Sequence, residues 1–111
     1  MGTWGIESWS NDPAADWFDA MFEATGLALH VEETLHRDID EYAQELRAAV
    51  FVLLVLGRPY VWPVGQLQWH LALAAARLEE ILVAGVFQDS ETVLAIESEL
   101  AEIRSRLPQK A

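Results

Sequence analysis

Ala48-Ala-Val-Phe-Val-Leu-Leu-Val-Leu56 decides the fold class. These nine residues carry no polar side chain, and their β-branched members invite reading as a buried strand. A strand needs a partner, however, and nothing else in the chain offers one. Upstream, Ile39, Tyr42, Leu46, Ala49 or Val50, and Leu53 recur three and four residues apart, so the run completes a helix. Beyond Arg47 its apolar residues point all round, which predicts a central helix buried on every side. Gly57-Arg58-Pro59 stops it.

Toward the N-terminus, Arg37-Asp38-Ile39-Asp40 interrupts the apolar pattern, and Asp38 followed by Glu41 resembles a capping box that restarts a helix. Residues 27–56 therefore form either one bent helix or two, the first running from about Leu27 to His36. Before Gly26, the stripe Ala14, Trp17, Phe18, Met21 and Phe22 predicts another helix, with Asp12 as its N-cap and Pro13 in the first position. Toward the C-terminus, Tyr60-Val-Trp-Pro63 reads as a packed loop. The next helix reaches about Gly85 and has two apolar faces, one of Leu67, Leu71, Ala74, Leu78, Ile81 and Leu82 and the other of Trp69, Leu73 and Ala76. Two such faces imply contacts on two sides, within the bundle or with a second subunit. Asp89 or Ser90 caps a last helix with a seam of Val93, Ile96, Leu100, Ile103 and Leu107.

The expected fold is thus all-α: a single domain, a compact bundle of four or five helices. Residues 1–12 form an irregular arm strapped across it by Trp4 and Trp9, and residues 108–111 form a frayed tail. The 111 residues, 52% apolar with five tryptophans, suffice for a real core. Cysteine is absent, which excludes disulfides, thiolate metal sites and a cysteine nucleophile. No basic residue leads into an apolar run at the N-terminus, and the nine-residue apolar run is far short of the ~20 residues that span a bilayer. A soluble, cytoplasmic protein is the expectation.

The opening Met-Gly-Thr-Trp-Gly, then Asn11-Asp-Pro-Ala-Ala-Asp-Trp17 and Glu32-Glu-Thr-Leu35, resemble a family of small bacterial proteins known as domain-of-unknown-function family 4259. The specific match lies in the first 35 residues; a looser one covers the apolar helix ending at Gly57 and the closing Arg104 to Leu107. The resemblance implies an all-α fold and a bacterial source, and it brings no activity. Family members carry a longer acidic connector and a glutamate on an alanine-rich helix. Here Phe51 stands near that glutamate's place, so a site built on it would be missing.

Charge is distributed unevenly. Residues 1–45 hold eleven acids and only Arg37 as a base, a balance of −10 within a net −11. Such a surface repels phosphates, so neither nucleic acid nor membrane is an expected partner, whereas a basic protein is. Glu33-x-x-His36 is half of a di-iron motif, but His70 has Leu67 three residues before it, so the second half is missing and neither metal nor cofactor is expected. His70, between Trp69 and Leu71, is expected to be partly buried with a structural hydrogen bond. The expected function is therefore a non-catalytic protein-interaction module. Its candidate surface comprises Trp4, Trp9, Asn11, Asp12, Asp16, Glu32, Glu33, Asp38 and Asp40. The alternative is a small-molecule binder with a pocket among Trp17, Tyr60, Trp62 and Trp69, with a metal-dependent enzyme a distant third; self-association through the fourth or fifth helix is a further partner expectation.

Overall fold

The computed structural model describes residues 7–108. Five helices follow one another: α1 (Asp12–Thr25), α2 (Leu27–Leu35), α3 (Ile39–Leu56), α4 (Leu67–Ala84) and α5 (Ser90–Ser105). Local chemistry sets most of their ends. Gly26, at φ 63°, closes α1 in the left-handed conformation that L side chains avoid, and its N–H donates to the Phe22 carbonyl. The carboxylate of Asp38 accepts from the Glu41 N–H at 3.0 Å, so residues 27–56 are two helices rather than one bent one. A further kink follows at Tyr42, whose φ of −118° is not helical.

The cap of α1 falls one residue earlier than the sequence pattern suggested. Asn11, not Asp12, accepts from the Ala14 N–H at 2.8 Å, so Asp12 opens the helix and Pro13 follows it. Proline is tolerated anywhere in the first turn, where its missing N–H costs no helical bond, so its presence did not fix the register. Asn11→Ala is expected to cost ~1 kcal/mol in chemical denaturation, by loss of that cap. Asp12→Asn should cost less.

The α2 to α5 helices form the body of the bundle. The α4 helix packs on α5, α3 and α2, while α1 rests on α2 alone among the helices of the described residues. Leu35, Leu46, Val50, Leu53, Leu71, Leu78, Ile96 and Ile103 fill its centre. The α5 seam is as expected: Ile96, Leu100 and Ile103 are buried, with Val93 and Leu107 half-buried at either end. The α3 helix is not enclosed on every side. Its Phe51 is 63% exposed and Val55 is also open, because helices cover only the side that carries Ala49, Val50 and Leu53. Likewise Trp69 and Val83 on α4 are exposed, so the bundle leaves that second face uncovered.

Asp89 caps α5, accepting from the Thr92 N–H at 2.9 Å. Its carboxyl is held below the usual aspartate value, first by the hydrogen bond with the Thr92 side chain and then by the one from the Thr92 backbone. The folded state thus favours the ionised form. The cap therefore stabilises fully above that value and loses its contribution as pH falls through the lowered folded value. The melting-temperature gap between the protein and Asp89→Ala should be open near neutral pH and close in strong acid.

Two arginines tie helix ends together. Arg106, just past α5, donates from one guanidinium nitrogen to the carbonyls of Leu53 and Gly57 at 3.2 and 3.3 Å, and from Nε to Glu102 at 3.0 Å. Arg77 on α4 donates to the carbonyl of Arg37, just past α2. Both place positive charge at a helix C-terminus, where it meets the negative end of the helix dipole.

Candidate functional site

Two regions carry the polar chemistry, a hydrogen-bonded chain inside the bundle and an acidic surface outside it. The inner one runs from the α3–α4 connection through α4 to α2. Trp62, on the packed loop after Gly57, is 1% exposed and donates its indole N–H to Nδ1 of His70 at 2.9 Å. Nε2 of His70 lies 3.0 Å from the Glu32 carboxylate on α2. An indole N–H can only donate, so Nδ1 must accept and the ring carries its single proton on Nε2, donating it to Glu32. The His70–Glu32 contact is thus a charge-assisted hydrogen bond rather than an ion pair.

Aromatic rings enclose this chain. Phe22 of α1 meets Trp62 edge-on at 5.0 Å, and Trp69 lies tilted against His70 at 4.9 Å. His70 is fully buried with both nitrogens engaged, so its imidazole offers no free nitrogen to a reacting molecule. The expected structural hydrogen bond is present and doubled. Its partners, eight and thirty-eight residues away, have no signature in the local sequence.

The outer region belongs to α1 and the α2–α3 hairpin. Asp12, Asp16, Asp19 and Glu23 recur at intervals of four, three and four, which stacks them in one stripe along α1, and all four are exposed. Trp17, 63% exposed, stands beside the stripe with its ring edge-on to Phe18. Among the described residues, every arginine–carboxylate ion pair uses an acid from the second half of the chain: Glu79, Glu80, Glu99 or Glu102. The acids of residues 7–45 receive no such compensation. The few bases left over are engaged elsewhere, Arg37 over the ring of Tyr42 and Arg58 over that of Trp9.

The candidate surface residues therefore sort by position. Asp12, Asp16, Glu33 and Asp40 are exposed carboxylates with no ion pair among the described residues. Asn11 and Asp38 serve as helix caps, and Glu32 is turned inward onto His70. Trp9 is half-buried against the core beneath Arg58, while Trp4 lies outside the described residues, as does the rest of the arm before residue 7. Asp19, Glu23 and Trp17 complete the acidic face, and their spacing along α1 was the available signal. Among the four aromatics of the alternative pocket, Tyr60 and Trp62 line a hollow of about 360 Å³ with Pro63 and Leu67. Trp69 instead lies against His70 and Trp17 against Phe18. Glu33 and His36 are exposed, and no group of three potential metal ligands occurs among the described residues. No helix among them is long and apolar enough to cross a membrane.

Compared with protein-family models, curated proteins and solved structures, the chain matches none of them.

Proposed function

We propose that this is a non-catalytic interaction protein that meets a basic protein partner through its acidic first half. The observation that carries the proposal is the division of ion pairing. Among the described residues, every carboxylate paired with an arginine lies in the second half, which leaves a stripe of four acids without such a pair on α1 beside an exposed tryptophan. Exposed carboxylates steer a cationic partner, and an aromatic ring at their edge supplies an anchor. The resemblance to family 4259, with the bacterial source it implies, belongs to the same proposal, as does a cytoplasmic setting. Self-association through α4 is a second reading, favoured by the open face on which Trp69 and Val83 stand, the latter 83% exposed.

Affinity capture with the purified protein tests the first reading. A specific partner should be retained at low salt, lost at high salt, and lost from the triple variant Asp16→Asn, Asp19→Asn, Glu23→Gln. All three carboxylates are exposed, and among the described residues none is in an ion pair, so the variant should melt close to the parent. Retention that ignores both salt and the triple change would sink the acidic reading. Sedimentation of Val83→Glu separates self-association from it.

A further inference from the structure

The α2–α3 hairpin carries a second feature of the acidic half. Between the two helices lies a groove of about 240 Å³ whose floor is apolar: Leu27 and Val31 from α2, and Ala48, Ala49 and Val52 from α3. Phe51 and Val55, both exposed, extend the α3 side outward, so apolar surface continues past the groove. Helical spacing explains why both helices contribute a stripe: Leu27, Val31 and Thr34 on one, and Glu45, Ala48, Val52 and Val55 on the other. Because the helices form a hairpin, the Leu27 end of α2 lies toward the Val52 end of α3, and the Arg37 end lies toward Glu45. The groove is therefore apolar at one end and charged at the other.

At that end the groove's own lining carries one acid, Glu45, and one base, Arg37, and flanking exposed carboxylates tip the surroundings negative. Glu45 lines the groove, Glu41 precedes it by one turn on α3, and Glu33 stands between His30 and Arg37 on α2. Among the described residues none of the three carboxylates is in an ion pair, and the Arg37 guanidinium lies 5.1 Å above the Tyr42 ring. A second copy of this chain, with its net charge of −11, is a poor electrostatic match for such a rim. An amphipathic helix with a lysine- or arginine-rich face matches both the floor and the rim.

We propose that the α2–α3 groove receives one basic amphipathic helix of a partner protein, its apolar side on Val31, Ala48 and Val52 and its cations at Glu41 and Glu45. This rests on the acidic interaction reading above for the partner's basic chemistry, and adds a contact separate from the α1 stripe.

A labelled synthetic peptide of about 18 residues, five turns of helix, with leucines at i, i+3, i+4 and i+7 and lysines elsewhere, tests it by fluorescence anisotropy. Saturable binding is expected, weakened about tenfold or more by Ala48→Arg and by Glu45→Lys, and little changed by the α1 triple variant. Ala48 and Glu45 are both exposed, so neither change disturbs the core, and circular dichroism checks this directly. If the α1 triple variant abolishes binding while Ala48→Arg does not, the groove assignment is overturned and the acidic reading survives. If an equally long polylysine binds as tightly, the groove adds nothing and the proposal fails. A failure of the peptide to bind overturns the groove proposal while leaving the capture experiment to decide the acidic reading. A concentration-dependent dimer that Ala48→Arg dissolves would show that a second copy occupies the groove, which also overturns it.

Discussion

Trp62→Ala is expected to cost ~3–5 kcal/mol of stability, a large part of what holds a domain this size together. The residue is 1% exposed, so its removal leaves a cavity under Phe22 and strips the donor from Nδ1 of His70. Two milder changes separate packing from hydrogen bonding. Trp62→Phe keeps most of the ring volume but leaves Nδ1 without a donor, and His70→Leu keeps bulk but orphans the indole N–H. Each should cost roughly 1–3 kcal/mol, the penalty for an unsatisfied buried polar group. The double variant should cost less than their sum, because it removes both members of one bond. Denaturant midpoints measure all four. Strict additivity would show that the chain Trp62–His70–Glu32 is not one coupled unit.

Gly57→Ala is the second large effect. A Cβ at this position would run into the carbonyl of Leu53, a backbone atom that cannot rotate out of the way. The same carbonyl already accepts from the Gly57 N–H at 2.7 Å and from Arg106 at 3.2 Å. Gly57 also centres a tight turn in which the Arg58 N–H donates to the Leu56 carbonyl at 2.8 Å. Relief of the clash therefore has to move the end of α3 and loosen the arginine that ties α5 to it. A loss of about 2–4 kcal/mol is expected, by analogy with other changes that force backbone movement at a packed junction. A cost within ~0.5 kcal/mol would mean that the junction relaxes freely. Arg106→Lys distinguishes the two contributions: it removes the planar fork without adding a clash, and should cost less than Gly57→Ala.

The interaction surface changes character once Glu32 and Asp38 are located. Both are acids of the first half, yet one holds His70 and the other starts α3. Their substitution would weaken the fold together with any binding, and for that reason the clean test of association uses Asp16, Asp19 and Glu23. The candidate residues chosen from sequence were thus a mixture of surface carboxylates and structural ones, which net charge alone does not separate.

Helix existence, most helix ends and the α5 seam were legible in the chain itself. Gly26, the Asp38–Glu41 pair and Asp89 act over three or four residues, and interactions of that range leave their pattern in adjacent letters. The uneven charge was equally plain, since counting needs no coordinates. Three features came only from tertiary structure. The exposed face of α3 could not be foreseen in Ala48–Leu56, because a run apolar all round does not say which side its neighbours leave open. The hydrogen-bonded chain joins Glu32 to His70 across thirty-eight residues, and Arg106 reaches Leu53 across fifty-three. Such partners are chosen by how helices cross, not by spacing along the chain. Local physics therefore determined an all-α bundle and most helix ends, and left open whether residues 27–56 made one helix or two. Packing decided how completely His70 was enclosed and by which partners, which acids were consumed in holding the bundle, and which remained on the surface.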